Sequence, residues 1–282
     1  MKKYFLIYFI VTCYLGFEYF VLTYMPHWSS LLYLQRIGFF SPQTKFNTLP
    51  GRTISLWLGW SGLTLMVVMN LYSMRKRFGF MQTWGKLPDW LNFHIFCGLM
   101  GPTLIFFHCG LNVRGVVGIS FWSMIVSLTS GIIGRYIFVQ VSGKKIEFEQ
   151  LSNLALERLN QSFENRKLDV TEAQKQLVLH RSLAFVGARK SEDNLNPFSV
   201  LLYSFLGDLR LLFSEVQVPS HWPSSARPRV AVYAINMRKA QFVDSYKRLM
   251  GYWHTFHFPL TVFMYIAAVI HVISSLIFLS PG

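Results

Sequence analysis

Charged residues are scarce in this chain of 282 residues, where they make up 14% of the sequence against 52% for apolar residues. So low a charge content excludes an ordinary soluble domain and is typical of a protein with several membrane-spanning helices. Among the charged residues, acidic ones are the rarer, with 13 Asp and Glu against 27 Lys and Arg. In a membrane protein this basic excess indicates contact with anionic membrane lipid, and we expect no nucleic-acid partner.

Cysteine is also rare, and two motifs that would specify a bound cofactor are missing. The three cysteines, Cys13, Cys97 and Cys109, all lie in apolar stretches, which argues against a disulfide framework. The sequence has no C-x-x-C-H, so covalently attached c-type haem is excluded. It also has no glycine-rich nucleotide motif, so we expect the chain to lack a flavin or nicotinamide site of its own.

Five apolar stretches are each long enough to cross the hydrocarbon core of a bilayer. They are Tyr4–Tyr24, Ile54–Tyr72, Leu91–Leu111, Val116–Val139 and Thr255–Leu279. We interpret the first stretch as a retained helix rather than a signal peptide, because its apolar run is long and no A-x-A-like cleavage site follows it. The sequence thus predicts an all-α membrane protein, a five-transmembrane-helix bundle with a helical cytoplasmic insert.

The predicted domains follow from these spans. Residues 1–140 hold transmembrane helices 1–4, residues 141–250 form the cytoplasmic helical insert, and residues 251–282 hold helix 5. Within the insert, Lys145–Asn165 and Thr171–Val186 predict a hairpin of two amphipathic helices, the second with a capping box at Thr171 and Gln174.

A third helix of the insert, Phe198–Val216, is more apolar than the other two. Asp208 and Arg210 interrupt its apolar run. We therefore interpret it as lying at the membrane interface or docked on the protein core, not as a sixth span.

The placement of Lys and Arg predicts the orientation, because loops on the cytoplasmic side are enriched in them. Of the 27 basic residues, 23 fall on one predicted side, 16 of them between Val141 and Met250. We therefore expect a multi-pass protein of a bacterial cytoplasmic membrane, with a cytoplasmic N-terminus and a periplasmic C-terminus.

Four histidines form two pairs with the same spacing. His94 and His108 are 14 residues apart, and so are His257 and His271. Because 14 residues make nearly four helical turns, both members of a pair lie on one helix face, about 21 Å apart. Two such helices side by side would offer one histidine pair near each face of a bilayer core roughly 30 Å thick. Since a six-coordinate haem iron takes two axial ligands, the pattern predicts two stacked, non-covalent, bis-histidine b-type haems.

The predicted topology decides which histidines pair. The third and fifth spans both run outward from the cytoplasm, so His94 would pair with His257 at the inner haem, and His108 with His271 at the outer one. Two other interpretations stay open: the histidines are structural, or they bind another metal. Zinc is disfavoured because the two histidines of one helix are too far apart to share an ion.

Several further residues are candidates for the surroundings of the haems. His254 is a rival of His257 as a ligand, although it lies off the helix face of His271, which favours His257. If His257 is the ligand, His254 would lie near a propionate or a quinone. Gly98 and Gly101 share a face with His94 and fit either a porphyrin or close helix packing. Arg135 at the inner level and Arg114 at the outer level would contact propionates or lipid headgroups.

One acidic residue, Glu18, lies deep within a predicted span. A carboxyl group at that depth is costly and usually has a function or a partner. The sequence leaves two alternatives for it: a proton-transfer group, or a buried partner for a histidine or a tyrosine.

With these residues placed, the chain resembles the dihaem membrane cytochromes b, and among them the transmembrane domain of ferric reductases and NADPH oxidases. The resemblance rests on the paired H-x13-H helices, on F-H-I-F-C-G-L-M-G-P-T-L-I-F-F-H at residues 93–108, and on S-G-I-I-G-R-Y-I at residues 130–137. It covers the second to fifth spans and implies haem ligation by His94, His108, His257 and His271. The long helical insert departs from the short inner loop of those oxidases, as does the lack of a flavin and nucleotide domain.

These patterns predict a dihaem cytochrome b that carries electrons across the membrane as one subunit of an oxidoreductase complex. The donor would be a quinol or a cytoplasmic protein, and the acceptor a periplasmic protein such as a cytochrome c. Two alternatives stay open: a ferric or oxygen reductase acting at the outer haem, and a non-redox scaffold or transporter whose histidines are structural.

Overall fold

The computed structural model describes residues 2–46, 51–110, 113–188 and 196–278. Within these ranges the chain forms ten α-helices and two short 3₁₀ helices, Pro26–Trp28 and Gly79–Met81, and it has no β-strand. The helices are α1 (Lys2–Tyr24), α2 (Ser30–Arg36), α3 (Thr53–Val68), α4 (Leu71–Arg77), α5 (Leu87–Cys109), α6 (Gly115–Val141), α7 (Lys145–Glu164), α8 (Glu172–Phe185), α9 (Pro197–Phe213) and α10 (Ala226–Phe278).

Five helical segments of the described residues are long and apolar enough to cross a membrane. They are Lys2–Tyr24, Thr53–Arg77, Leu87–Cys109, Val117–Val141 and Ala226–Ile277. Each contains nearly all of one predicted span, so the prediction of an all-α, multi-pass membrane protein is confirmed. The fifth is longer than predicted, because α10 begins at Ala226 inside the predicted insert and not near Thr255. The predicted ends of two spans, Leu111 and Leu279, lie outside the described residues.

The chain divides into two compact units. The first comprises Met1–Gly131 and Pro259–Gly282, and the second comprises Ile132–Phe258. Helices α6 and α10 each contribute to both units. The assignment of residues 141–250 to the cytoplasm stays a prediction.

In the first unit, α5 packs against α1, α3 and α4. The contact between α3 and α5 is close where two glycines meet: a Cβ on Gly62 would lie 2.9 Å from the carbonyl oxygen of Gly101. Small residues that let two backbones approach are the usual means of packing helices in a membrane. Apolar side chains from α3, α5, α6 and α10 complete the core, and they include Met66, Cys109, Phe121, Met124 and Met264.

The second unit contains the predicted helical hairpin, formed by α7 and α8. Its core holds Leu159 and Phe163 of α7 with Val178 and Leu179 of α8. Thr171 precedes α8 as predicted, but its side chain makes no capping hydrogen bond, so the predicted capping box is wrong. The cap depends on the orientation of one hydroxyl, which the sequence motif does not specify.

Helix α9 is not among the five segments that could cross a membrane. Its Asp208 accepts a hydrogen bond from Arg238 of α10 at 2.7 Å, and the Arg238 side chain is fully buried. Gly207 beside it lies against the backbone of Val186. Asp208, one of the two charges that interrupt the apolar run, therefore attaches this helix to the core of the second unit, while Arg210 is exposed.

Candidate functional site

His108 lies in the last turn of α5, which ends where Gly110 adopts a positive φ of 53°. Its Nδ1 is 2.7 Å from the backbone carbonyl oxygen of Ser55, in the first turn of α3. The Ser55 hydroxyl donates to the carbonyl of His108 at 2.9 Å and lies 3.1 Å from the same Nδ1. Because a carbonyl only accepts, Nδ1 carries the proton, and Nε2 of the neutral ring keeps a lone pair for a metal.

A glycine on α3 gives the His108 ring access to that carbonyl. Gly59 is one helical turn after Ser55. A Cβ built on Gly59 would lie 2.7 Å from Nδ1 of His108, closer than real Cβ atoms come to other atoms. The imidazole therefore lies against bare backbone, and any larger residue at position 59 would have to displace it.

His94, near the other end of α5, makes an equivalent contact. Its Nδ1 is 2.9 Å from the carbonyl oxygen of Met69, the residue at which α3 ends. The Met69 carbonyl also accepts from the backbone N–H of Tyr72 at 3.3 Å, and its second lone pair is available to the imidazole. The ring of Tyr72 lies beside the imidazole, with ring centres 5.3 Å apart. The same reasoning leaves Nε2 of His94 as the ligand atom.

The two contacts share one register. Ser55 and Met69 are 14 residues apart on the α3 segment, the same separation as His94 and His108 on α5. The first histidine meets the later carbonyl and the second histidine meets the earlier one, so the two helices run antiparallel. Sequence reasoning missed Ser55 and Met69, although the repeated 14-residue separation was present as a signal.

His271 of α10 faces the same site as His108. The centres of the two imidazole rings are 6.5 Å apart, with 69° between the ring planes. Both rings line a cavity of about 290 Å³ whose other walls are mainly apolar. Leu63, Met66, Ile105, Phe121, Met264 and Ala268 are among the apolar lining residues. The structure thus brings together the pair predicted for the outer haem.

The spacing of these two rings suits one metal ion between them. Two imidazole nitrogens binding a metal from opposite sides are about 4 Å apart, and ring centres lie about 1 Å beyond each nitrogen, so about 6 Å separates the centres. Within the described ranges no group of three or more His, Cys, Asp or Glu side chains could hold a metal. Two protein ligands are sufficient for haem iron, because the porphyrin supplies the other four nitrogens.

The other predicted pair is divided between the units, with His94 in the first and His257 in the second. The His257 ring stacks on Trp253, with ring centres 4.7 Å apart and 19° between planes. His254, its predicted rival, is exposed. The ligation of an inner haem by His94 and His257 stays a prediction.

The remaining predicted contacts have protein neighbours. A Cβ on Gly98 would meet only the sulfur of Met69, at 3.7 Å, and Gly101 lies against Met66 and the backbone of Gly62. These two glycines therefore pack α5 against α3, which was one of the two alternatives for them.

The two candidate arginines have different environments. The guanidinium of Arg135 lies over the ring of Phe138, 5.6 Å from its centre. Arg114 is exposed just before α6. Their predicted contacts with propionates are not tested by these positions.

Glu18 is partnered by neither a histidine nor a tyrosine. Its carboxylate accepts hydrogen bonds from the hydroxyls of Ser29 and Ser30 and from the backbone N–H groups of Ser30 and Leu31. These donors belong to the start of α2. Glu18 therefore attaches that short helix to α1.

Comparison with known proteins adds no further assignment. No protein-family model matches this chain, and no curated protein and no solved structure is significantly similar to it.

Proposed function

We propose that this protein is a dihaem cytochrome b that carries electrons across a membrane. The observation that carries the proposal is the site at His108 and His271, where two imidazoles with ring centres 6.5 Å apart line one apolar cavity. Nδ1 of His108 contacts the carbonyl of Ser55, so it holds the proton and leaves the other ring nitrogen as the ligand atom.

The residues of the chain fit such a cofactor. His108 and His271 would hold one haem, and the repeated spacing assigns His94 and His257 to a second. The contact of His94 with Met69 supports this, because it orients a second imidazole in the same way as Ser55 orients His108. Haem supplies one-electron chemistry at potentials that depend on its ligands and surroundings.

The protein's own contribution is to hold imidazoles in one tautomer and to exclude water. The hydrogen bond from Nδ1–H to a carbonyl fixes the proton away from the ligand nitrogen. The side chains of Leu63, Phe121 and Met264 keep the cavity apolar. A low-dielectric surrounding of this kind changes a cofactor's reduction potential, because it destabilises the oxidation state that carries the greater net charge.

The proposed partners lie outside the chain. We infer a separate electron donor, either a quinol or a cytoplasmic protein, since the sequence has no nucleotide-binding motif. The acceptor would be a periplasmic protein such as a cytochrome c. We propose that the chain functions as a subunit of an oxidoreductase complex in a bacterial cytoplasmic membrane.

The decisive experiment is a haem assay of the purified protein. We expect a pyridine haemochrome spectrum equivalent to about two b-type haems per chain, because four ligands make two bis-histidine sites. His108→Ala should reduce this to about one. The matched control is His27→Ala, which changes an exposed histidine of the same unit and should leave the haem content unchanged. A colourless wild-type protein would refute the proposal and favour a scaffold or transporter.

A vesicle assay tests whether electrons cross the membrane through the His108–His271 site. A quinol donor is placed on one side of the membrane and an impermeant protein acceptor on the other. Transfer by the wild type and its loss in His108→Ala are expected. Equal rates in both would exclude the His108–His271 site from the path, and direct reduction of ferric iron or oxygen without an acceptor protein would favour the reductase alternative.

A further inference from the structure

We propose that α3, which supplies no haem ligand, positions both ligands of α5, with Ser55, Gly59 and Met69 as the positioning residues. This inference rests on the proposed function, because its consequences are measured on bound haem. It goes beyond ligation by stating what determines the tautomer and orientation of the two imidazoles.

Two matched contacts carry the inference. The Nδ1 atoms of His94 and His108 lie 2.9 Å and 2.7 Å from the carbonyl oxygens of Met69 and Ser55, respectively. Backbone carbonyls cannot change their protonation, so they specify Nδ1–H at any pH at which the ring is neutral. Because the carbonyls and the histidines have the same 14-residue separation, one antiparallel alignment of the two helices satisfies both contacts.

Each carbonyl is accessible for a different local reason. Met69 follows the last residue of α3, Val68, and its carbonyl accepts one backbone hydrogen bond, from Tyr72 at 3.3 Å, which leaves its second lone pair for His94. Ser55 lies inside α3, where the carbonyl normally accepts from the N–H four residues later, which here belongs to Gly59. The carbonyl has a second lone pair, and the missing side chain at Gly59 lets the His108 ring reach it.

The two sites should therefore differ in a predictable way. At His108 the hydroxyl of Ser55 lies within 3.1 Å of Nδ1, in addition to the carbonyl. At His94 the partner residue is Met69, which has no hydroxyl. A stronger hydrogen bond at Nδ1 makes the imidazole a more basic ligand. Changes at Ser55 or Gly59 should alter the haem at His108 and leave the other haem unaltered.

Gly59→Ala is the main test. The added methyl group would overlap the His108 ring, so the ring must move away from the Ser55 carbonyl. Loss of such an outer partner typically weakens metal binding by about 10- to 100-fold. We expect one of the two haems to dissociate to an excess of apomyoglobin about tenfold faster, with a shifted electron paramagnetic resonance signal. Ser55→Ala keeps the carbonyl and should give a smaller change in the same haem.

The control is Gly16→Ala on α1, where an added Cβ meets no atom within 4 Å. It should leave both haems as in the wild type. If Gly59→Ala matches the wild type in haem dissociation and in spectrum, positioning by α3 is wrong while the proposed function stands.

A measurement on the wild type covers the case in which Gly59→Ala does not fold. Nitrogen-15 NMR of histidine-labelled, reduced protein reports which ring nitrogen carries the proton. Ligation through Nε2 by itself leaves the proton on Nδ1, so the informative quantity is the hydrogen bond that Nδ1–H donates, which shifts its nitrogen and proton signals downfield. A hydrogen-bonded Nδ1–H at both His94 and His108 supports the inference, and a free Nδ1–H or a proton on Nε2 at either ring overturns it. A haem-free protein with the expected tautomers would refute the proposed function alone.

Discussion

The two units stabilise their buried polar side chains with different partners. In the first unit many of the acceptors are backbone carbonyls. Those of Ser55 and Met66 accept from His108 and Tyr265, and the buried guanidinium of Arg75 donates to the carbonyls of Gln82, Trp84 and Gly85. In the second unit the buried guanidinium of Arg238 is held by a carboxylate of α9. A buried arginine thus lies among backbone dipoles in the first unit, at Arg75, and beside a compensating charge in the second, at Arg238.

The difference has a geometric basis. A membrane-spanning helix uses nearly all its carbonyls internally, so a neighbouring side chain reaches one only where the helix ends or a glycine exposes it. Both situations are found here: Met69 follows the end of α3, and Gly59 lies within α3. In the second unit Asp208 also accepts from Tyr136 at 2.7 Å and from Gln140 at 3.0 Å. One carboxylate there organises several elements.

The largest expected effect comes from breaking the ion pair between Asp208 and Arg238 in the second unit. Asp208→Ala would leave the Arg238 guanidinium buried without its counter-charge, which costs about 3–5 kcal/mol. The measurement is the thermal unfolding midpoint of the purified protein in detergent. The control is Asp244→Ala, which removes an exposed ion pair with Lys247 and should cost less than about 1 kcal/mol. Equal shifts for the two variants would mean that burial of the pair is unimportant.

A second comparison uses one chemical change at two helical glycines of the second unit. In Gly134→Ala the new Cβ would lie 2.0 Å from the Trp253 ring, and overpacking of this kind costs about 1–3 kcal/mol. In Gly251→Ala the new Cβ meets nothing within 4 Å, so the variant should gain about 0.5–1 kcal/mol from helix propensity. Unfolding midpoints should move in opposite directions. A stabilised Gly134→Ala would contradict the close contact with Trp253.

A third prediction concerns how much one side-chain hydrogen bond to a backbone carbonyl contributes to the stability of the first unit. Tyr265→Phe removes a hydroxyl that donates to the Met66 carbonyl and accepts from Asn70 at 2.6 Å. The loss should cost about 1 kcal/mol. In a Cys13→Ser, Cys109→Ala background, the buried thiol of Cys97 should then react with maleimide about fivefold faster, because about 1 kcal/mol raises the population of opened protein about fivefold.

The matched control for that measurement is Tyr24→Phe, because Tyr24 is 70% exposed. Its labelling rate should equal that of the background protein. If Tyr265→Phe labelled no faster than this control, side-chain bonds to carbonyls would contribute little to the stability of the first unit.

The smallest effect concerns the exposed apolar end of α9. Phe213 is 83% exposed, so Phe213→Ser should change the unfolding free energy in detergent by no more than about 0.5 kcal/mol. Phe163→Ser, at a core position that is 6% exposed and packs on Trp222, should cost about 3 kcal/mol or more. Similar midpoint shifts for both variants would show that Phe213 is covered within the purified protein.

Much of the fold was predictable because it depends on local properties of the chain. The lengths of the apolar runs gave five spans, and the alternation of apolar and polar residues gave the α7–α8 hairpin, which spans Lys145–Phe185. Asp208 and Arg210 predicted that α9 is not a span, and α9, with 17 residues, is not among the described segments that could cross a membrane. Contacts that depend on a single rotamer, such as the cap at Thr171, were not predictable in this way.

Sequence alone also determined that His94 shares a helix with His108, and His257 with His271, because the helical period relates residue number to angle and rise. It could not give the partners of those rings. The roles of Ser55, Gly59 and Met69, and the 6.5 Å separation of His108 from His271, depend on the alignment of helices distant in sequence. That alignment is decided by side-chain packing between helices, which only the tertiary structure specifies.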